Sequence, residues 1–307
     1  MIEFNHVKKI INNKTIINDF SIQIKTNELF ILVGPSGSGK TTLLKMINQL
    51  NKPSSGEILI NNNNLQNINI NQLRHNIGYV LQSSALFPNM NVFENSAIQL
   101  INLKWNKKEQ QERIEELLNL VGLNPLKFMS KMPNELSGGE AQRVGIVRAL
   151  ASNPSIVLMD EPFSALDPIS KTQLQDLILK LHHKLDTTFV FVTHDMNEAV
   201  KLGDRIAIIK EGNLQQIGTP KEIMAAPNNN FIKKFISDNV KHIDYMNQVV
   251  KEKYGTDIKP NKTIEALDKY QTINDWAKEI SKNPDIVIKV ENRYLTSNDL
   301  INYLANK

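Results

Sequence analysis

A glycine-rich segment ending in lysine and threonine is the first part of the sequence with residue types and spacing suited to chemistry. The segment fits the pattern G-x-x-x-x-G-K-[ST] and consists of Gly34, Pro35, Ser36, Gly37, Ser38, Gly39, Lys40, Thr41 and Thr42. Glycines let the backbone wrap tightly and direct its N–H groups at phosphate oxygens. In this pattern the lysine reaches the β- and γ-phosphates and the first threonine hydroxyl binds Mg²⁺. The segment therefore predicts a P-loop that binds a nucleotide, although a Gly/Ser turn before a helix is the alternative.

Two adjacent carboxylates, Asp160 and Glu161, form the second candidate site and follow an apolar run at residues 156–159. A carboxylate at the carboxyl end of a central parallel strand lies beside the mouth of a P-loop. Asp160 is therefore predicted to hold Mg²⁺, directly or through water, and Glu161 to polarise the attacking water. The alternative is a strand-end turn with two solvated acids, but the P-loop earlier in the chain favours the catalytic interpretation.

The elements that must position these residues follow from the apolar pattern. Residues 29–33 (LFILV) and 156–159 (IVLM) are continuous apolar runs, typical of buried parallel strands. Residues 1–85 read as an antiparallel β portion leading into the P-loop core, and about 87–153 as helices. Strands and helices alternate over residues 154–215. The sequence thus predicts an α/β P-loop NTPase core with a mostly parallel sheet, an antiparallel β portion and a helical subdomain.

Composition narrows the possible functions. The chain has 307 residues, 41% of them hydrophobic and 22% charged, a formal net charge of +4 and no cysteine. Without cysteine there can be no disulfide and no thiol catalysis. We find no apolar run long enough to span a bilayer. Clusters of Lys and Arg with interleaved aromatic residues, typical of nucleic-acid binding, are absent too. We therefore expect a non-secreted globular protein with no nucleic-acid partner.

Residues 136–140 read Leu-Ser-Gly-Gly-Glu and precede a helix-like segment. Lying between the P-loop and the strand that ends in Asp-Glu, this segment resembles the signature of the ABC ATPases. The resemblance implies that Ser137, Gly138, Gly139 and Glu140 cap the γ-phosphate of an ATP bound to a second protomer. The expected active form is therefore a homodimer with two ATP sites at its interface.

Other short motifs match the same family. Gln82, after the strand-like IGYVL, resembles the Q-loop glutamine, which implies a catalytic role and a contact with Mg²⁺. Residues 164–167 (SALD) resemble the D-loop that links the two active sites. His194 resembles the switch histidine that contacts the γ-phosphate. His182 and His183 lie in a polar helical segment, where we expect them to be solvated and without a role.

The chain departs from the family pattern at the position expected to stack on the adenine base of ATP. The family usually stacks adenine on an aromatic side chain near the first hairpin, and by spacing that position falls at Ile11. No Phe, Tyr or Trp occurs between Phe4 and Phe20. Base stacking on aromatic side chains is worth about 1–3 kcal/mol per base in nucleic-acid complexes. We therefore predict weaker selectivity for adenine, with GTP hydrolysed at a rate not far below ATP.

Longer segments resemble one group within the family. KMINQL, IGYVLQSSALFPNMNVFEN, DEPFSALDP and TTFVFVTHDMNEAVKLGDRIAIIKEGNLQQIGTP are similar to the ATP-binding subunits of quaternary-amine importers, over residues 1 to about 238. The resemblance implies an ATPase that powers the import of glycine betaine, carnitine or choline. An importer of another small solute such as ergothioneine, or a soluble ABC ATPase without a transport role, is the alternative.

The same resemblance implies partners in the membrane. These are integral permease subunits and, acting indirectly, an extracytoplasmic substrate-binding protein, which would place the chain at the cytoplasmic face of the membrane as a peripheral protein. Residues 83–90, with Leu86, Phe87 and Met90, are a candidate contact with the permease. Packing of these apolar side chains inside the helical subdomain is the alternative.

Residues 241–307 are predicted to form a small α+β domain after an ATPase domain of residues 1–240. Their pattern of helix, two strands and helix resembles a single CBS module. Thr296 and Asp299 match a T-x-x-D pattern that often contacts a nucleotide ribose, whereas Arg293 stands where glycine is usual. A regulatory sensor and a small packing or dimerisation domain both remain open.

Overall fold

The chain folds into two compact units, Met1–Pro220 and Lys221–Lys307. The computed structural model describes residues 1–239, 246–260, 262–268 and 271–306. The domain boundary expected from the sequence, at 240, falls on residues outside these ranges.

The first unit begins with a four-stranded antiparallel sheet. Its strands, in the spatial order β2-β1-β4-β5, are β1 (Ile2–Ile11), β2 (Lys14–Ile24), β4 (Ser55–Ile60) and β5 (Asn63–Asn64). The two residues between β1 and β2, Asn12 and Asn13, have φ of 47° and 61°. Asparagine tolerates this left-handed conformation, which two-residue hairpin turns require. On the buried face Phe4 and Phe20 meet edge to face, with ring centroids 5.6 Å apart.

A six-stranded, mostly parallel sheet forms the centre of this unit. In the spatial order β10-β9-β3-β8-β7-β6, its strands are β3 (Leu29–Val33), β6 (Ile77–Val80), β7 (Ile156–Asp160), β8 (Thr188–Thr193), β9 (Arg205–Lys210) and β10 (Asn213–Gly218). All pairs are parallel except β9 with β10. Every residue of β3, β7 and β8 is buried, as expected for parallel strands covered on both faces. The carboxyl ends of these three strands therefore meet at one edge of the sheet.

Helix α1 (Lys40–Ile47) follows β3, and helices α7 (Pro168–Lys184) and α8 (Met196–Leu202) connect β7 to β8 and β8 to β9. A short helix, α2 (Ile70–His75), precedes β6; another, α9 (Pro220–Ala225), follows β10 and begins at the last residue of the first unit, so that the rest of it belongs to the second. One continuous core contains Ile2, Phe20, Leu32, Leu44 and Val190, so that the antiparallel and parallel sheets share buried side chains. The predicted α/β class with its antiparallel portion is confirmed.

The helical subdomain also agrees with the sequence prediction. It comprises α3 (Val92–Asn102), α4 (Lys107–Leu120), α5 (Pro125–Phe128) and α6 (Gly138–Leu150). Capping boxes begin three of these helices, at Asn91, Asn106 and Ser137. In each box the N-cap side chain accepts a hydrogen bond from a backbone N–H that the helix cannot satisfy, and a glutamate three residues on returns the bond.

The second unit contains a three-stranded sheet and its own core. Its elements are α10 (Asn230–Asn239), α11 (Met246–Lys251), β11 (Ile264–Ala266), α12 (Ile273–Lys282), β12 (Val287–Val290), β13 (Arg293–Leu295) and α13 (Ser297–Ala305). Strand β12 pairs in parallel with β11 and antiparallel with β13. Trp276 and Tyr303 are fully buried in this core. The predicted order of helix, two strands and helix is present, but the short strand β11 was not expected.

One prediction about the first unit is wrong. His182 is not solvated: its side chain is only 9% exposed, and Nε2 lies 3.0 Å from Oδ2 of Asp204. The imidazole also meets the ring of Phe189 edge to face, at 5.8 Å between centroids. The residue lies on the side of α7 that packs against the sheet, so a polar neighbourhood in the sequence does not mean exposure.

Candidate functional site

The P-loop (residues 34–42) joins the end of β3 to the start of α1. A Cβ atom at Gly34 would lie 2.0 Å from the carbonyl oxygen of Ile209. Gly39 has a φ of 99°, and its Cβ would lie 2.4 Å from Cδ1 of Ile17. No side chain fits at either position, so the loop backbone packs directly against the neighbouring strands. Gly39 is also the N-cap of α1, whose first N–H groups have no partner within the helix and can receive an anion.

Lys40 points back into this loop. Its Nζ donates to the carbonyl oxygens of Gly34 and Pro35 at 2.8 and 2.9 Å, and the residue is only 4% exposed. Burial lowers the pKa of Lys40, while the nearby charges of Glu161 and Asp160 act in the opposite direction. A cation is thus held inside the loop beside the strand-end acids.

Asp160, at the end of β7, contacts Thr41, the residue that follows Lys40. Its Oδ1 accepts a hydrogen bond from Thr41 Oγ1 at 2.8 Å, and its Oδ2 one from the Tyr79 hydroxyl at 3.3 Å. Burial, together with the Asp160 charge, raises the pKa of Tyr79. A hydroxyl and a carboxylate held in contact are hard oxygen donors, which suit Mg²⁺. Tyr79 was not predicted from the sequence, because its contact with Asp160 depends on the pairing of β6 with β7.

Glu161 and His194 form the other half of the cluster. Oε2 of Glu161 lies 3.0 Å from Nδ1 of His194, and their side chains are 21% and 54% exposed. The Glu161 backbone has a φ of 46° and donates its N–H to the carbonyl of Val192 at 3.0 Å. A left-handed conformation in a glutamate is costly, and such strain is concentrated at functional positions. It turns the Glu161 carboxylate away from the strand and towards the residue that follows β8.

Ser137, Gly138, Gly139 and Glu140 lie at the start of α6. The Ser137 N–H donates to Oε2 of Glu140 at 2.8 Å, and the Glu140 N–H donates to Ser137 Oγ at 3.3 Å. A Cβ atom added at Gly139 would lie 3.3 Å from Oγ of Ser170, so there is little room for a side chain at this position. Glu140 therefore has a structural role as the partner in a capping box, besides any role towards a ligand.

Gln82 lies two residues beyond β6, with an exposed side chain. The backbone around it is held by α6, because Gln142 donates to the carbonyl of Leu81 at 3.1 Å and Arg148 donates to those of Ser84 and Ala85 at 3.0 and 2.9 Å. The loop that carries Gln82 is thus attached to the same helix that begins with the LSGGE residues.

The apolar residues after Gln82 are divided between surface and interior. Phe87 is 49% exposed, while Leu86 and Met90 are half-buried. Asn95, which is fully buried, accepts from the Phe87 N–H at 2.7 Å and donates to the carbonyl of Met90 at 2.8 Å. A groove of about 320 Å³ opens here, lined by Ile77, Tyr79, Leu81, Ala85, Phe87, Ile98, Gln99, Arg148 and Ala149.

The site residues predicted from the sequence lie in three separate parts of the first unit. Lys40, Thr41, Asp160, Glu161 and His194 meet at the carboxyl edge of the parallel sheet, together with the rest of the P-loop. Ile11 ends β1 at the hairpin turn, opposite Lys14, and is 43% exposed. The LSGGE residues begin a helix of the helical subdomain. Within the described part of the chain, a Cβ atom added at Gly138 would lie nearest to Leu166, and one added at Gly139 nearest to Ser170.

A phosphate-binding loop and a strand-end carboxylate pair at one edge of a parallel sheet define a P-loop nucleotide-binding domain. Residues 17–164 match the family model described as ABC transporter. The chain belongs to the ABC transporter family.

Two relatives are named as ATP-binding proteins of a transport system and of an uptake system. The chain is 46% identical, over 237 residues, to the glycine betaine/carnitine/choline transport ATP-binding protein OpuCA of Bacillus subtilis, a match covering 77% of this chain and 62% of OpuCA. It is 40% identical to the glycine betaine uptake system ATP-binding protein YehX of Escherichia coli, covering 76% of each. The chain thus spans about three fifths of the length of OpuCA. The resemblance to quaternary-amine importer subunits is confirmed, whereas the CBS resemblance stays a prediction.

A solved structure shares the fold. The dimeric, post-hydrolysis ATP-binding cassette MJ0796, bound to ADP and phosphate, is 34% identical with a TM-score of 0.64. The match covers 72% of this chain and 99% of that cassette. None of the helices within the described residues is long and apolar enough to cross a membrane.

Proposed function

We propose that this protein is the ATP-hydrolysing subunit of an ABC importer for quaternary amines such as glycine betaine, carnitine or choline. The observation that carries the proposal is the cluster at the carboxyl edge of the parallel sheet. It joins Lys40 inside the P-loop, the Thr41–Asp160 contact and the Glu161–His194 contact. The names of the relatives support the choice of substrate class. An importer for another small solute, ergothioneine included, or a soluble ABC ATPase remains the alternative.

Each residue of the cluster has a distinct task in this proposal. The P-loop N–H groups and Lys40 bind and orient the triphosphate. Thr41, Asp160 and Gln82 are the candidates to hold Mg²⁺, which would neutralise charge on the β- and γ-phosphates. Glu161 accepts a proton from the attacking water, and His194 contacts the γ-phosphate while keeping the Glu161 carboxylate in place.

We propose a homodimer as the active form. The LSGGE residues begin α6, where the helix N-terminus presents free N–H groups, and a second copy would bring these groups to the opposite P-loop. The related cassette MJ0796 is dimeric in its ADP- and phosphate-bound structure. Two ATP molecules at the interface, each held by the P-loop of one protomer and the Ser137–Glu140 segment of the other, would follow.

The groove beside Phe87 is the proposed contact with the integral membrane permease subunits. It combines an exposed aromatic ring with a loop that Asn95 holds in place, so a partner helix would find a preformed apolar surface. In this proposal the protein is a peripheral subunit at the cytoplasmic face of the membrane. The extracytoplasmic substrate-binding protein would act through the permease, and no nucleic acid is involved.

Reconstitution tests the function directly. The full chain would be combined in vesicles with the permease and substrate-binding protein encoded beside it, and ATP-driven uptake of labelled glycine betaine, carnitine, choline and ergothioneine compared. Uptake of one of the first three, abolished by Glu161→Gln, is the expected result. Uptake of ergothioneine alone would support the alternative importer, and recovery from cells bound to ribosomes or DNA instead of membrane would contradict both.

The position of Ile11 leads to a prediction on base selectivity. We expect kcat/KM for GTP within about fivefold of that for ATP in the wild type, because an aliphatic side chain provides no stacking surface. Ile11→Tyr should lower the KM for ATP about fivefold, the equivalent of about 1 kcal/mol of stacking, and lower the KM for GTP less, so that a preference for ATP appears. Steady-state hydrolysis over a range of nucleotide concentrations measures both quantities.

Ile10→Tyr is a matched control, since Ile10 is equally exposed, at 42%, on the alternate face of β1. It should leave both KM values unchanged. A strong ATP preference in the wild type, unaltered by Ile11→Tyr, would rule out this account of the departure from the family.

We propose that residues 241–307 form a small domain with a structural rather than a sensory role, following an ATPase domain of residues 1–240. The polar groups of its T-x-x-D segment already bind within the chain. Asp299 accepts hydrogen bonds from the Thr296 N–H and hydroxyl at 2.8 and 2.6 Å and from the Gly255 N–H at 3.2 Å. Arg293 donates to the carbonyl oxygens of Lys253, Tyr254 and Gly255. A nucleotide would have to displace these bonds.

Deleting residues 241–307 is therefore expected to leave kcat and the ATP KM within about twofold of the full chain. It should leave unchanged the dependence of reconstituted uptake on ionic strength and on added nucleotides. Uptake assays with the intact and the shortened subunit make the comparison. Loss of either dependence in the shortened protein would instead assign a sensory role to the domain.

A further inference from the structure

A three-residue ionic cluster lies behind His194, outside the groups already assigned to nucleotide chemistry. Nζ of Lys171, in the first turn of α7, lies 2.8 Å from Oδ2 of Asp195 and 2.7 Å from Oε1 of Glu198. The side chains of Lys171, Asp195 and Glu198 are 30%, 25% and 7% exposed. One cation thus binds two carboxylates from the segment that follows β8.

The cluster continues into the last residue of that strand. The Thr193 hydroxyl donates a hydrogen bond to Oε2 of Glu198. Thr193 Oγ1 also accepts a hydrogen bond from the Asp195 N–H at 3.0 Å. Asp195 Oδ1 accepts the Asn197 N–H at 2.8 Å and so begins α8. Both neighbours of His194 in the chain, Thr193 and Asp195, are therefore fixed through this network, while the imidazole itself extends towards Glu161.

The charges make Lys171 central to the arrangement. Burial raises the pKa of Glu198, against the hydrogen bonds from Lys171 and Thr193 that favour its charged form. Burial would lower the pKa of Lys171, but its hydrogen bonds to Asp195 and Glu198, together with the negative charges of these two groups, outweigh burial and raise the pKa. Without the ammonium group, two carboxylates would face each other, one of them buried, and such a pair separates or takes up a proton.

The other end of the connection is the SALD segment. Asp167 is the N-cap of α7 and accepts the N–H groups of Ile169 and Ser170, each at 3.0 Å. The Lys171 N–H donates to the Asp167 carbonyl at 2.8 Å. Ser170 is also the residue that limits space above Gly139 of the LSGGE segment. Lys171 therefore joins the turn that begins α7 to the two residues beside His194.

We infer that Lys171 is a positioning residue that holds His194 at the Glu161 carboxylate and couples the histidine to the SALD turn. This inference rests on the proposed ATPase function. The described contacts of the Lys171 ammonium group are with Asp195 and Glu198, which flank or follow His194, and not with the P-loop or Asp160. We therefore expect its effect to pass through His194. It predicts a loss in kcat with little change in nucleotide affinity, because the P-loop and Lys40 are untouched.

The test compares Lys171→Met, Lys171→Arg and a matched control, Lys201→Met. Lys201 also links α8 to α7, through Asp176 at 2.7 Å, but that ion pair is exposed and includes neither Thr193 nor Asp195. We expect Lys171→Met to lower kcat at least tenfold with an ATP KM within about threefold. Lys171→Arg should recover most of the activity, and Lys201→Met should behave as wild type. An unchanged kcat in folded Lys171→Met would overturn the inference, as would an equal loss in Lys201→Met.

A measurement without hydrolysis separates this inference from the proposed function. The His194 imidazole signal in NMR spectra, assigned by its loss in His194→Ala, should shift in nucleotide-free Lys171→Met and stay in place in Lys201→Met. An unmoved signal would overturn the positioning role even if the protein hydrolyses no ATP. If the wild type lacks ATPase activity but the signal moves, the proposed function fails and the structural coupling stands.

Should Lys171→Met fail to fold, Glu198→Gln decides the matter. The amide keeps the size of the side chain but removes one of the two charges that bind Lys171. A fall in kcat of about threefold or more, with a shifted His194 signal, is the expected result. Wild-type values for both would contradict the inference.

Discussion

Replacing Glu161 by glutamine is expected to lower kcat for ATP hydrolysis by at least about 10²-fold, the usual range for loss of a general base. The amide is nearly isosteric, so the left-handed backbone and the contact with His194 Nδ1 can persist, but it cannot accept a proton from water. Binding should persist, because Lys40 and the P-loop contribute the phosphate contacts. ATP would then be held without turnover, and the protein should accumulate as a closed dimer.

Phosphate release under steady-state conditions measures the loss, and light scattering after gel filtration with ATP and Mg²⁺ measures the dimer. Glu112→Gln is a suitable control, because Glu112 lies on the exposed face of α4, within 3.8 Å of Lys108. It should hydrolyse ATP normally and form no persistent dimer. Normal turnover in Glu161→Gln would remove this residue as the base and would require another group to activate the water.

Local chemical patterns explain why much of the site could be predicted from the sequence. The P-loop requires glycine at fixed positions, because a side chain at Gly34 or Gly39 would collide with Ile209 or Ile17. Asp160 ends a fully buried strand, so the point where the apolar run stops marks the edge of the sheet. Residues separated by more than a hundred positions, such as Thr41 and Asp160, meet there because the parallel strands bring their carboxyl ends together.

Contacts that depend on the packing of two distant elements could not be predicted in this way. Tyr79 reaches Asp160 only because β6 is the neighbour of β7 in the sheet. Lys171 has no local pattern that distinguishes it from a solvated helix lysine, and its partners Asp195 and Glu198 are the N-cap and a first-turn residue of another helix, α8. His182 shows the same difficulty, since its burial follows from the face of α7 that meets the sheet.

The second unit illustrates a different limit. Thr296 and Asp299, which match the pattern of a ribose contact, lie at the start of α13 and form a capping box there. A T-x-x-D pattern satisfies the needs of a helix N-terminus as well as those of a ribose contact. Only the partners of Asp299, which include the Gly255 N–H, favour the structural role.

Lys40→Ala is expected to act at an earlier step than Glu161→Gln and to raise the Kd for ATP at least about 100-fold. Hydrogen bonds to charged groups are worth about 1.5–3 kcal/mol each, and Lys40 supplies the one ammonium group held inside the P-loop by the described contacts. Removing it should cost little stability, because burial already disfavours the charged form, as its lowered pKa indicates. The protein should therefore remain folded while losing its nucleotide.

Thermal denaturation with increasing ATP separates binding from folding. A ligand at 100 times its Kd stabilises the native state by about 2.7 kcal/mol, so the wild type should show a clear rise in Tm that Lys40→Ala lacks. Lys45→Ala, in the last turn of the same helix, should keep the full rise and so controls for an effect on α1 itself. Because Glu161→Gln should keep the ATP-dependent rise while losing turnover, the pair of variants distinguishes the binding of phosphate from its transfer. An undiminished rise in Lys40→Ala would mean that the N–H groups of the loop bind the triphosphate without the lysine.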